Sequence, residues 1–356
     1  RWRARAPRPR AAVAPRRALV FILDDYHLIE DASIHQALTF LLDHLPPTLH
    51  FVLAGRGEPA MPLARYRARQ QLLEIKADDL RFQNGETTEF LNEMLRLDLS
   101  QGEIARLQHR VEGWVAGLQL FALAAQYRLG TGDLPSITGR HRFIADFLSE
   151  DVLTPLTQDM QAFLLHTSVA ETVCGSLCDA ITGRSDGQAT LEVLERENLF
   201  LIPLDDRREW FRYHRLFAEF LRTEFEKRHP DQVATAHQRA ARWYLEQNLP
   251  EPAFDHALAG DAPGLVVEIF ERYINAKLNG GELRLVNRWL NTLPAAWYAR
   301  YPILTLARVG YLAFTGAIDP SLHELNEVEQ HLHESKTEAS RRQLTLVVVV
   351  RCVLAC

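Results

Sequence analysis

The sequence predicts a short α/β unit followed by mostly helical domains. Three observations predict it: a strand–helix–strand pattern within about 40 residues, a switch to helical period from about residue 84, and only paired helical segments after residue 229. At 356 residues the chain has room for two or three domains. It can also bury a core without disulfides or structural metal. Its net charge of −6 argues against a chain that coats nucleic acid or an anionic membrane as a whole. The longest apolar runs, such as Leu344 to Val350, are far below the roughly 20 residues that span a bilayer.

The elements follow in order. Residues 18–25 are a continuous apolar run ending in Asp24 and Asp25, the pattern of a strand buried on both faces of a parallel sheet. Ile34, Leu38, Leu41, Leu42 and Leu45 then share one helix face, stopped by Pro46 and Pro47. Residues 50–56 read as a second buried strand ending in Arg56, so the three segments form a βαβ unit. Leu72 to Ile75 is read as a third short strand.

Helices are expected over 86–95, 100–111 and 114–127, the second opened by Ser100 and Glu103 as a capping box. Residues 130–139 are rich in Gly, Thr, Ser and Pro and read as a linker. Helices resume from 142 to about 228, interrupted by a small hairpin from 199–204 to 210–213, which suggests a winged helix. From 229 onward helical hairpins follow, with small and aromatic packing residues of repeat type at 241–244 and 256–259.

Cys174/Cys178 and Cys352/Cys356 are each spaced by four and read as neighbours on helix faces, with a metal site the less common alternative. So few cysteines fit a reducing, cytoplasmic compartment. Residues 1–17 carry seven arginines and no acid, and read as a disordered basic segment. The chain opens on Arg1, and 340–356 reads as a helix without cap or breaker, so both ends are expected to be cut from a longer protein.

Asp24 and Asp25 have the position of Walker B acids. Carboxylates at the carboxyl end of a buried parallel strand face the nucleotide crevice, where Asp24 can hold Mg²⁺ through water and a neighbouring acid can polarise the attacking water. Many α/β strands also end in Asp without binding anything. Arg56, at the end of the next strand, can pair its guanidinium with phosphate, or simply face solvent beside a carboxylate. No G-x-x-x-x-G-K-[ST] string occurs in the 356 residues, nor H-E-x-x-H or G-x-S-x-G. His214 stands at the start of an amphipathic helix and reads equally as a packing histidine.

Taken together, Leu23-Asp-Asp-Tyr-His-Leu-Ile, Leu53-Ala-Gly-Arg, Leu80-Arg-Phe, Glu112-Gly-Trp-Val-Ala-Gly-Leu-Gln-Leu, Phe163-Leu-Leu-His-Thr-Ser, Leu177-Cys-Asp-Ala-Ile-Thr-Gly, Asn198-Leu-Phe-Leu-Ile-Pro-Leu-Asp and Arg212-Tyr-His-Arg-Leu-Phe resemble, in order and spacing, the MalT-like branch of LuxR-family transcriptional regulators. The resemblance runs from about residue 18 to about 320. It implies a STAND-class arrangement: residues 18–83 the C-terminal part of a P-loop NTPase α/β core, 84–138 a helical subdomain, 139–229 a winged helix, and 230–356 the start of a TPR-like helical superhelix. The P-loop and the C-terminal helix-turn-helix of such proteins would lie outside this sequence.

By resemblance, Asp24 and Asp25 match the Walker B acids, Arg56 the sensor arginine, and Gly113, Trp114 and Val115 part of the segment beside the adenine. That segment often has Pro where this chain has Val115. His214 matches the histidine that reaches the ADP β-phosphate. The implied cofactors are ATP and ADP with Mg. The implied partners are an inducer, small molecule or protein, at the helical repeats, further copies of the chain in the active state, and DNA and RNA polymerase through the C-terminal domain. No membrane partner is implied. Slow ATP hydrolysis as a switch is implied for the family, while the missing P-loop argues against independent catalysis. The competing reading is a helical-repeat interaction scaffold with a degenerate NTPase half.

Overall fold

The computed structural model describes residues 18–29, 31–46, 48–127 and 138–316, together with 325, 326, 329, 330, 347 and 351. The expectations for residues 1–17, 130–137, Cys352, Cys356 and nearly all of 340–356 fall outside the described residues. The chain divides into two compact units. One comprises the described residues up to Leu118 with Glu192–Leu201, the other Gln119–Leu191 with the described residues from Ile202 on.

In the first unit, β1 (Leu19–Leu23) and β2 (Leu49–Leu53) are parallel, in register from Leu19 against Leu49 to Leu23 against Leu53. Between them lies α1 (Ala32–Asp43), whose N-cap Asp31 accepts a hydrogen bond from Ser33 N at 2.8 Å. The βαβ unit therefore forms as the apolar pattern requires. Its burial differs. Leu19, Val20, Phe21 and Ile22 are 44–70% exposed, because β1 and β2 are the whole sheet among the described residues. The apolar run has the composition of a doubly covered strand, and the described residues do not cover it on both faces. Phe21 and Phe51 partly compensate by stacking, centroids 5.2 Å apart.

Residues 72–75 do not form a third strand. The segment after α2 (Leu63–Ala68) is held by side chains instead: Arg67 Nε and Nη2 donate to the two Glu74 carboxylate oxygens at 2.7 and 2.6 Å. Such a fork fixes the chain without a backbone ladder, and Leu73 and Ile75 stay exposed.

The helix expected from 86 begins earlier, as α3 (Asn84–Thr88), and widens into a π-helical turn over Glu89–Met94. Helix α4 (Gln101–Val111) has the expected capping box: Ser100 Oγ accepts from Glu103 N at 3.3 Å, and Ser100 N donates to the Glu103 carboxylate at 2.8 Å. It ends with two successive left-handed residues, Glu112 and Gly113, before α5 (Val115–Tyr127).

The second unit contains α6 (Arg142–Phe147), which runs into a π-helical turn at Leu148–Leu153, then α7 (Gln158–Thr167), β3 (Val173–Cys174) and α8 (Gly175–Thr182). Next in the chain come α9 (Gly187–Arg196), which passes into the first unit at Glu192, then β4 (Leu201–Pro203), and in the second unit β5 (Trp210–Tyr213) and α10 (Arg215–Arg228). The strands form one sheet in the order β3-β5-β4, so the expected hairpin is present and a third strand joins it. Phe163, Phe211, Phe217, Phe220 and Phe225 are fully buried. Each contributes on the order of 1.5–3 kcal/mol of burial. Cys174 is not on a helix face as expected: it closes β3 and caps α8, while Cys178 lies within α8. Both are buried free thiols.

Paired helices make up residues 230–314: α11 (Pro230–Glu246), α12 (Pro250–Ala259), α13 (Pro263–Asn279), α14 (Leu283–Thr292), α15 (Ala295–Arg300) and α16 (Pro302–Phe314). Four of the six, α11, α12, α13 and α16, carry Pro in the first turn, where its missing N–H costs nothing. Ala236, Ala240, Ala253 and Ala257 are buried, and such small side chains let α11 and α12 approach closely. Farther on, Trp289 stacks on Phe254 at 5.0 Å and meets Phe270 at 5.8 Å.

Candidate functional site

The parallel register brings the ends of β1 and β2 together. Ala54 N donates to Leu23 O at 2.9 Å, and Tyr26 N donates to Ala54 O at 2.9 Å, so the turn carrying Asp24 and Asp25 is bonded to the turn carrying Arg56. Asp25 adopts the left-handed region, φ +51°, where an aspartate is tolerated because its short polar side chain bonds locally. Its N–H donates to Asp24 Oδ1 at 2.9 Å. This fold-back leaves Asp24, Asp25 and Arg56 exposed at one end of the sheet. The turn is anchored from below by buried Tyr26, whose hydroxyl hydrogen-bonds His35 Nδ1 of α1 at 2.8 Å.

Two neighbours were not singled out from the sequence. His27 Nδ1 is a buried atom without a hydrogen-bond partner among the described residues, and the Asp25 carboxylate lies 4.0 Å from it. The signal was the acid-x-His spacing. Asn198 Nδ2 donates to Arg56 O at 2.5 Å. Nothing local in the sequence announces that pair.

Gly113 and Trp114 lie in the turn between α4 and α5, and Val115 opens α5. Gly113 has φ +75°, and a Cβ there would stand 2.6 Å from Phe82 O, so the position admits only glycine. Phe82 N donates to Gly113 O at 2.9 Å. Trp114 lies over Gly117, where a Cβ would come within 2.5 Å of its ring, and meets Phe200 edge-on at 5.1 Å. The segment thus has strong packing reasons for its glycines. His214, in the second unit, precedes α10 and is 3% exposed; its carbonyl accepts from Ala218 N at 2.9 Å.

Exposed carboxylates at the end of a parallel strand suit a hydrated Mg²⁺, which takes oxygen ligands and keeps several waters. Among the described residues no group of three or more His, Cys, Asp or Glu side chains could cage a metal ion by itself. A phosphate cradle of the G-x-x-x-x-G-K-[ST] kind is not in these 356 residues. What the described residues place at this end of the sheet is two exposed carboxylates and an exposed guanidinium. No helix among the described residues is long and apolar enough to cross a membrane.

The parallel strand pair with acids and an arginine at one end is followed in this chain by a three-stranded sheet set among helices and by stacked helical hairpins. Residues 149–233 match the model of the MalT winged helix domain. The chain is 35% identical over 91% of its length to the HTH-type transcriptional regulator MalT of Vibrio parahaemolyticus, covering 36% of that relative. It is 32% identical over 94% of its length to MalT of Yersinia enterocolitica, again covering 36%. A signal transduction ATPase with numerous domains and a tetratricopeptide repeat sensor, from Pyrococcus horikoshii, aligns with a TM-score of 0.45 and 14% identity, over 93% of this chain and 49% of that one. The chain is similar to the MalT transcriptional regulators along nine-tenths of its length and spans about a third of theirs.

Proposed function

We propose that the chain is the central nucleotide-switch and sensor portion of an ATP-dependent transcriptional activator of the LuxR/MalT type. In this reading it works in the cytoplasm and couples ADP or ATP state and inducer binding to oligomerisation and transcription. The observation that carries the reading is the pairing of the Asp24–Asp25 turn with the Arg56 turn at one end of β1 and β2, in a chain similar to MalT regulators. Bound Mg–ATP supplies the phosphate charge and the hydrolysable bond. With Mg–ATP bound, Asp24 would hold water on the magnesium, Asp25 would polarise the attacking water, and Arg56 would neutralise phosphate oxygens. Gly113, Trp114 and Val115 are proposed to line the adenine side, and His214 to contact the ADP β-phosphate.

Inducer is proposed to bind the helical hairpins. DNA and RNA polymerase are proposed partners of the whole regulator through a separate helix-turn-helix. Calorimetric titration of the full-length protein with ADP and with ATP, each with Mg, tests the reading. Binding that weakens at least about tenfold in Asp24→Asn or Arg56→Ala supports it. Full-length protein that binds neither nucleotide leaves the interaction-scaffold reading in its place.

A further inference from the structure

Helices α11 and α12 approach closely enough to bring two histidines ring to ring. His237 Nδ1 and His256 Nδ1 are 2.9 Å apart, with ring centroids at 5.0 Å. Both side chains are half-buried, and Tyr244 stacks on His256 at 5.4 Å. A Nδ1–Nδ1 hydrogen bond requires one ring to carry its proton on Nδ1 while the other presents a bare Nδ1. One proton can be shared between the rings. Two cannot, because two Nδ1–H groups would then face each other.

Among the described residues no acid side chain is paired with either ring. Arg222 of α10, held by Nε donating to Ser168 O at 2.6 Å, acts on both rings as a positive charge. On α11 the neighbour is the Tyr244 phenol, pushed up chiefly by burial, with Glu171 and the Cys174 and Cys178 thiols around it. On α12 Asp255 is turned to Arg288 of α14 at 3.7 Å. The buried side chains of α13 are Leu265, Val266, Ile269, Phe270, Ile274 and Leu278, all uncharged.

We propose that the His237–His256 pair is an acid-sensitive clasp that holds the first helical hairpin, α11–α12, closed while both rings are neutral and releases it when the second proton arrives. Burial, the partner ring and Arg222 hold His256 down to about 4, and burial and Arg222 also lower His237. The sign follows. The folded value lies below the unfolded value near 6.5, so the stabilisation is complete above about pH 6.5 and is lost as pH falls toward 4. Linkage between those two values makes the hairpin's opening constant about 30-fold larger at pH 5 than at pH 8.

Amide exchange of the full chain, followed in α11 and α12 and corrected for intrinsic rates, reads that ratio. His256→Phe keeps a ring against Tyr244 and removes the His256 share, so the change should fall well below 30-fold. Should the variant fold poorly, ring-nitrogen NMR of the wild-type protein decides alone. One ring must carry Nδ1–H at pH 7.5, and neither may titrate near 6.5. Two ordinary Nε2–H rings titrating near 6.5, or a His256→Phe protein that keeps the full 30-fold change, would overturn the clasp.

Discussion

Asn198 donates from its side-chain amide to the main-chain carbonyl of Arg56 at 2.5 Å, across 142 positions of sequence. Asn198 itself sits in the left-handed region, φ +51°, which asparagine adopts more readily than most residues. The position and the bond select the same side chain. Asn198→Ala should cost about 1–2 kcal/mol from lost bond and backbone strain. Asn198→Gly, which keeps the backbone easy, should cost less. Urea denaturation midpoints of the two variants check the order.

The Asp24–Asp25 turn is exposed, so isosteric amides there should leave folding intact. Asp24→Asn in the full-length protein is expected to reduce ATP turnover by about 10²-fold or more, measured as phosphate release, with an unchanged melting temperature. Equal turnover in the two proteins would falsify the role given to Asp24.

Gly113 tests the packing half of its double reading. Gly113→Ala places a methyl 2.6 Å from Phe82 O at a left-handed position, and should destabilise by about 1–3 kcal/mol whether or not nucleotide is present. A variant as stable as wild type would show that the α4–α5 turn can shift.

In the winged helix, Tyr213 is buried and hydrogen-bonded to Thr167 Oγ1 at 2.7 Å, and burial pushes its phenol well above the usual tyrosine range. Its folded value is above the unfolded one. That stability is therefore present below pH 10 and lost as alkali ionises the unfolded chain. Wild-type melting temperature should fall above pH 10, and Tyr213→Phe should flatten that fall. At neutral pH the variant should lose about 1 kcal/mol.

The Asp205 carboxylate accepts backbone N–H bonds from Arg207 at 2.9 Å, Glu209 at 3.1 Å and Trp210 at 2.8 Å, closing the turn between β4 and β5. These bonds, chiefly the one from Glu209, hold it below the usual aspartate range. The turn should therefore loosen only as pH falls below about 4, its stabilisation being complete above that. Amide exchange at residues 207–210 should rise in Asp205→Ala at neutral pH, while α10 stays protected.

Local chemistry made much of this fold legible. The apolar runs ending in Asp24 and Arg56 gave β1 and β2, and Ser100 with Glu103 gave the start of α4, because each signal lies within a few residues of the element it specifies. Residues 72–75 looked like a strand by composition, but a strand needs a partner, and Arg67 bound Glu74 instead. Contacts such as Asn198 with Arg56, Trp114 with Phe200, and His237 with His256 are set by how elements pack. Their spacings carry no period to read. At the candidate site the acids and arginine were legible as types at strand ends, whereas the bonding of their two turns, and His27 beside Asp25, needed coordinates.

The β1–β2 pair has a practical consequence for handling this polypeptide. Four adjacent apolar residues stand 44–70% exposed on a strand with a free ladder edge among the described residues. Unpaired N–H and C=O groups beside such side chains template further strands. In a polypeptide limited to these residues, self-association that grows with concentration should begin at this strand pair. A lysine at Ile22, the most exposed of the four, is the simplest gatekeeper against it.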